Sequence, residues 1–347
     1  MLVDSPSEQR ADTASAPPTR RAIRALGLLV SAVILLLVAL VSIAIGAKEL
    51  PLDQVWHGLF HDTGTYGDVV VDARLSRTVL GLLAGAALGL SGAVLQALTR
   101  NPLADPGLLG INAGASAAVV TAITYFGVST LSGYVWFAFL GAAAVGALVW
   151  FLGGSRGATP VRLALAGTAI SAALYGYLQA VMITDDAALN KLRFWTVGSL
   201  ASAGNSTILQ VLPFLAVGTL LALGLARPLN AVAMGDDTAR ALGANLARTR
   251  ALAMLAATVL CGAATAACGP IAFVGLMVPH AVRSFTGPDL RWILPYATVL
   301  SPVLLLGADV IGRIVARPAE LQVGIVTAII GGPVFILLVR RRRTARL

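Results

Sequence analysis

Ten apolar segments, basic residues gathered on alternate connections between them, and a composition 57% hydrophobic but only 12% charged predict an all-α polytopic membrane protein with ten transmembrane helices. Soluble domains carry roughly 25% charged residues, so no soluble domain is expected in these 347 residues. The apolar segments lie at 25–47, 79–98, 108–126, 134–152, 163–183, 208–226, 251–267, 270–282, 292–311 and 323–339. Most approach the ~20 residues a helix needs to cross ~30 Å of hydrocarbon.

Residues 1–24 read as a polar, disordered tail containing Pro17 and Pro18. The apolar run after it exceeds the roughly 7 to 15 residues of a signal-peptide core, so it is read as the first span of one membrane domain, 25–347. In the next connection His57 and His61 stand i,i+4 with Asp53 and Asp62 nearby, a spacing that could present a metal-binding face. A surface helix with Trp56, Leu59 and Phe60 dipping into the membrane interface explains the same residues more simply. The second span repeats glycine at 81, 85 and 89, a groove into which another helix can pack closely.

The connection after the sixth span, 227–250, is the longest polar stretch on the basic side. Asp236, Asp237 and Thr238 can cap a short helix there, and Gly243 can end it, which suggests two short helices forming a docking surface. Cys261 and Cys268, seven apart on the seventh span, are too far apart along a helix for a disulfide and read as small packing residues. The eighth segment is short, and charge decides its reading. With ten crossings, 18 of the 25 Lys and Arg residues fall on one side, including the 340–343 arginine cluster, and that side is the cytoplasm by the positive-inside bias. Both termini are then cytoplasmic and the protein sits in the plasma membrane. His280, near the inner end of this segment, reads as a packed histidine. In the ninth span Asp309 and Arg313 stand i,i+4, where an unpaired charge is costly, so an ion pair is expected.

No G-x-x-x-x-G-K-[ST] phosphate loop occurs, and Lys48 and Lys191 are the only lysines, so the chain is not expected to hydrolyse ATP or bind a cofactor itself. No nucleophile, base and orienting group fall into a recognisable arrangement, which argues against an enzyme. The net charge of +9 sits in short loops beside apolar spans, where orientation and contact with anionic lipid headgroups explain it better than nucleic acid does.

Several stretches together resemble the permease subunit of binding-protein-dependent ABC importers for iron siderophores, haem and cobalamin, the FecCD and BtuC-like family. RLSR at 74–77 leads into GLLAGAALGLSGAVLQAL, followed by NPLADPGLLGINAGAS at 101–116 and FWTVGSL at 194–200. LNAVAMGDDTARALGANLARTR at 229–250, GPIAFVGLMVPHAVR at 269–283 and AELQVGIVTAIIGGPVFILL at 319–338 complete the match, which runs from about residue 72 to the C-terminus.

The resemblance implies the type II ABC importer permease architecture, ten spans in each of two permease subunits, with the second subunit a copy or a relative. It also implies two cytoplasmic ATPase subunits that carry ATP and Mg, an external substrate-binding protein and surrounding membrane lipid. Segment 229–250 would seat on the ATPase, with Gly235, Ala239, Leu242 and Gly243 at the contact. Arg74, Arg77 and Arg313 would meet carboxylates of the binding protein; Ser76 stands where the family often has Pro. Asn101, Leu103, Thr159 and Pro160 match the cytoplasmic gate, and Ser171, Tyr175, Tyr177 and Gln179 of the fifth span are candidate polar contacts along the pore. The implied cargo is a ferric siderophore, with cobalamin or haem as alternatives. A proton-coupled carrier using Asp309 is the rival from another class.

Overall fold

The computed structural model describes residues 20–61, 64–128, 130–154, 160–201 and 204–344. The chain forms α1 (Arg20–Ala44), α2 (Leu52–Phe60), α3 (Tyr66–Thr99), a 3-10 turn (Pro106–Leu109), α4 (Ile111–Phe126), α5 (Leu131–Gly154), α6 (Pro160–Thr184) and α7 (Asp186–Trp195). It continues with α8 (Asn205–Gly224), α9 (Ala226–Ala233), α10 (Asp236–Ala241), α11 (Leu246–Cys268), α12 (Val274–Thr286), α13 (Leu290–Val315) and α14 (Val323–Thr344). The ten predicted spans are α1, α3, α4, α5, α6, α8, α11, α12, α13 and α14, so the all-α, ten-helix membrane architecture holds. Among the described residues seven are long and apolar enough to span a bilayer unaided; α4 and α14 carry shorter apolar stretches, and α12 has only 13 residues.

Residues 20–24 of the expected tail are helical, because α1 already begins at Arg20; residues 1–19 lie outside the described residues. The second span is longer than its apolar run. Thr65 and Asp68 form a reciprocal capping box, with Thr65 N donating to Asp68 Oδ2 at 2.9 Å, which starts the helix a dozen residues before the hydrophobic stretch. Arg100, in the left-handed region at φ 50°, ends it.

Helix α3 is the axis of the bundle. It packs on α13, α11 and α12; the predicted groove of Gly81, Gly85 and Gly89 receives α13, and Gly92 one turn on receives α12. A Cβ on Gly85 would stand 2.6 Å from Pro302 Cα, and one on Gly92 would collide with the Gly275 carbonyl oxygen. Helices cross this closely only where at least one of them has glycine at the contact.

The short eighth span has a physical cause. Gly269 at φ +74° lies against the Trp195 carbonyl, Pro270 has no N–H, and Phe273 adopts φ +70°, so the helix begins at Val274 rather than at 270. Its 13 residues cover only about 20 Å. The extended 269–273 stretch makes up the rest, tied down by Ser199 N donating to the Cys268 carbonyl at 2.7 Å. Cys261 and Cys268 are free and buried, as packing residues should be.

Candidate functional site

Three sites lie along the bundle: a charged cluster at the far end, a polar stripe on α6, and the 227–250 segment at the basic end.

The far-end cluster starts from α1, whose last carbonyls have no partner within the helix. Arg74 Nη1 donates to Ile43 O and Ala44 O at 3.2 and 2.9 Å, and its Nη2 to Lys48 O at 2.6 Å. Arg313 Nη1 donates to Ser42 O and Ile45 O, both at 2.9 Å. Two guanidinium groups thus cap α1 and sit favourably at the negative end of its dipole. Arg77 makes a forked contact with Asp309, Nη2 to Oδ1 at 2.7 Å and Nε to Oδ2 at 3.0 Å, and reaches Glu320 at 2.6 Å. Asp309 also holds Arg313 at 3.1 Å, which is the expected ion pair, and is fully buried.

This geometry corrects the docking expectation for Arg74, Arg77 and Arg313. Their exposures are 6%, 8% and 1%, and the groups they hold are the chain's own carbonyls and carboxylates. Burial joined to internal pairing, with Arg313 Nε the one guanidinium nitrogen among them that is buried without a partner, means that they fasten α1, α3, α13 and the 316–322 loop rather than stand on the outer surface. Arg317, paired with Glu49 at 2.6 Å, is the exposed arginine of this region.

Helix α6, the span expected to line the pore, has a largely exposed surface. Thr168, Tyr175 and Gln179, spaced seven and four, share one exposed face with the small residues Ala172 and Gly176. Two sequence candidates leave this face. Ser171 Oγ is buried and lies beside Gly110, and Tyr177 OH is hydrogen bonded to Thr121 Oγ1 at 2.8 Å. Sequence reasoning missed Thr168; the i, i+7, i+11 polar spacing was the available signal.

Toward the basic end the stripe meets a cavity of about 270 Å³, lined by Leu95, Thr99, Asn101, Asp105, Val161 and Thr168 among others. Asn101 therefore shares this cavity with the start of α6. Its Oδ1 accepts from Leu103 N at 3.0 Å, a turn that leaves Leu103 exposed and outside the lining. Pro160 opens α6, and Thr159 lies outside the described residues. Asp105 accepts from Gly107 N at 2.7 Å, and burial pushes its carboxyl up to about 6.

The 227–250 segment folds as the two short helices α9 and α10, turned by Gly235 at φ +114° and Gly243 at φ +78°. Ala239 is fully buried in a small core with Val232 and Leu246, so it supports the segment from inside and is corrected as a contact residue. Leu242 and Met234 are exposed instead, and Met234 was not anticipated. The predicted acidic cap of α10 is absent: its N-cap is Gly235, without a side-chain bond. Asp236 instead clamps Arg100 at the end of α3 and Arg250 at the start of α11, the latter at 2.8 Å. Hydrogen bonding from Arg250, helped by both charges, holds the Asp236 carboxyl below the usual range. On the other flank Asn230 Nδ2 donates to Asp289 at 2.7 Å, and Asn230 Oδ1 accepts from Leu290 N at 2.9 Å. The Arg291 hydrogen bonds lower Asp289 to about 2. The segment is thus tied to α3 and α11 through Asp236 and to the start of α13 through Asn230 and Asp289.

At the far end α2 is a surface helix, with Trp56 and Phe60 exposed and His57 stacked on His61 at 5.1 Å. Asp62 lies outside the described residues, and among the described residues no three His, Cys, Asp or Glu gather as a metal site. His280 is buried.

Residues 34–341 match the model of the FecCD transport family. The chain is 48% identical to the ferric enterobactin transport system permease protein FepD of Escherichia coli (strain K12), over 93% of this chain and 96% of that one. It is 37% identical to the hemin transport system permease protein HmuU of Yersinia pestis, over 90% and 95%. Among solved structures, the inward-facing conformation of a transporter assigned to the metal-chelate ABC type superposes with a TM-score of 0.81 at 28% identity, covering 91% of this chain and 99% of that one. With its ten spans, glycine-packed axis and two-helix segment at the basic end, the chain belongs to the FecCD transport family, as a permease subunit of the ABC-importer type.

Proposed function

We propose that this chain moves a ferric siderophore from the outer face to the cytoplasm, unchanged chemically, along the polar stripe of α6. That stripe is the observation that carries the reading. Three polar side chains on one exposed face of a membrane helix, with only alanine and glycine between them, are poorly placed against hydrocarbon and well placed beside a wetted path. In this reading a second permease, a copy or a relative, supplies the opposite wall.

The cargo rests on the 48% identity to a permease named for ferric enterobactin. Haem is the second reading, on the 37% relative named for hemin. The basic end faces the cytoplasm, where two ATPase subunits, carrying ATP and Mg, grip Leu242, Met234 and the turn at Gly243. Binding and hydrolysis there move the spans as rigid bodies through the Asp236 and Asp289 contacts. An external binding protein delivers cargo at the far end, to the face whose loops Arg74, Arg77 and Arg313 hold in place. The chain is therefore a conduit and not an enzyme.

Proteoliposomes containing the permease, its ATPase and its binding protein test this with iron-labelled siderophore. Uptake should require ATP on the side of the basic end and ignore an imposed proton gradient. Uptake driven by the gradient without ATP would replace the proposal with a carrier working through Asp309.

A further inference from the structure

At the basic end a cavity of about 600 Å³ opens between the end of α8, α9, the turn at 242–245 and the start of α11, so that Leu242 and Gly243 of the proposed ATPase contact border it. Its apolar wall includes Leu220, Leu221 and Leu252; its polar wall includes Arg227 and Arg248. Neither arginine side chain has an ion pair or hydrogen bond among the described residues, and the lining contains no Asp or Glu. The nearby acids are engaged: Asp236 with Arg100 and Arg250, Asp237 with Arg240, and Asp289 with Arg291. Two uncompensated positive charges over a pocket of leucines describe a ligand with an anionic head and an apolar body.

The surroundings locate that ligand. Both arginines stand where membrane helices end, at the level of lipid headgroups. From Arg248 an exposed strip runs up α11 through Ala251 and Leu255, in steps of three and four residues. On its other flank the strip borders an apolar groove of about 260 Å³ against α5, walled by Gly146 and Trp150. Helix α8 exposes Leu209, Val217 and Leu220. The apolar surface is thus continuous from the arginines into the bilayer.

We infer that this cavity is a binding site for an anionic phospholipid, its phosphate between Arg227 and Arg248 and its acyl chains against α8 and the α11 strip. Such a lipid braces the hinge between α8, the 227–250 segment and α11. The inference rests on the proposed orientation only for which leaflet supplies the lipid.

Native mass spectrometry of the full-length chain in detergent, with equimolar phosphatidylglycerol and phosphatidylcholine, tests it without any transport assay. Each arginine near a headgroup is worth about fivefold, so phosphatidylglycerol should be retained about 25-fold over phosphatidylcholine. Arg227→Gln with Arg248→Gln should bring the two lipids near parity, whereas Arg240→Gln, outside the cavity, should change nothing. Leu252→Trp, which fills the apolar wall and leaves both arginines, should also lower retention, and Arg248→Lys should keep most of the preference. An unchanged preference in the double variant, or unchanged retention in Leu252→Trp, would overturn the inference. So would displacement by inorganic phosphate or by added ATPase subunits, which would assign the cavity to a soluble anion or to protein.

Discussion

Replacing Asp309 by Asn isolates what the far-end cluster contributes. In the native structure two carboxylates, Asp309 and Glu320, face Arg77 and Arg313, while Arg74 is held by carbonyl oxygens alone. Asp309→Asn removes the one carboxylate that touches both arginines. Arg77 keeps Glu320 at 2.6 Å, but Arg313, 1% exposed, keeps only the neutral acceptors Ser42 and Ile45. Stripping one partner from a buried pair costs about 3–5 kcal/mol, and the arginine left without its carboxylate places this site in that range. Unfolding of the purified chain by a denaturing detergent, followed by tryptophan fluorescence, reads the difference. Adding Arg313→Met removes the stranded charge and should recover about 2 kcal/mol, a coupling expected of groups in direct contact. A loss below about 1 kcal/mol with siderophore uptake abolished would refute the reasoning, because Asp309 would then serve transport and not fastening.

Gly92→Ala should destabilise by about 1–3 kcal/mol, since the new Cβ meets a backbone carbonyl that cannot turn aside, while Gly176→Ala, with open space around it, should be neutral or slightly stabilising in the same unfolding assay. Ala172→Cys, on the exposed face of α6, should react with a water-soluble thiol reagent about tenfold faster than Ser171→Cys, and equal rates would remove α6 as the path. Acid should loosen the 227–250 segment. The carboxyls of Asp236 and Asp289 are held below their usual value of 3.8, so the unfolded segment binds more protons there; their stabilisation is present above about pH 4 and lost as pH falls through the folded values, about 2 for Asp289. Hydrogen exchange at 226–250, corrected for intrinsic rate, should show protection falling with acid, and protection rising instead would contradict the clamp.

The spans were legible because a bilayer imposes length and apolarity on sequence directly. Charge on the connections added the α12 crossing, which its 13 residues alone would not have justified. The Gly81, Gly85 and Gly89 groove was readable for the same kind of reason: a period of four has one packing consequence. Side-chain direction was not. Ala239 and Leu242 differ by three residues on a short helical turn, yet one is wholly buried and the other is 63% exposed, which depends on how α10 folds back on α9. Ser171 and Tyr175 present the same ambiguity on α6: one helical turn apart, the first hides its hydroxyl against the 3-10 turn and the second is exposed. Arg74, Arg77 and Arg313 looked like surface arginines because their partners, the last carbonyls of α1 and the carboxylates of Asp309 and Glu320, lie mostly dozens to hundreds of residues away. Asp236 misled in a similar way, offering a helix cap in sequence and a tertiary clamp in space.

The central claim is that motion enters this chain from an ATPase through the exposed surface of the 227–250 segment. ATP-driven siderophore uptake by proteoliposomes carrying Met234→Asp tests it most directly, because Met234 is exposed, lies outside the cavity of Arg227 and Arg248, and takes no part in the contacts of Asp236 and Asp289. The account predicts normal membrane insertion, unchanged unfolding stability and uptake reduced to background. Uptake at the native rate by that variant would contradict it.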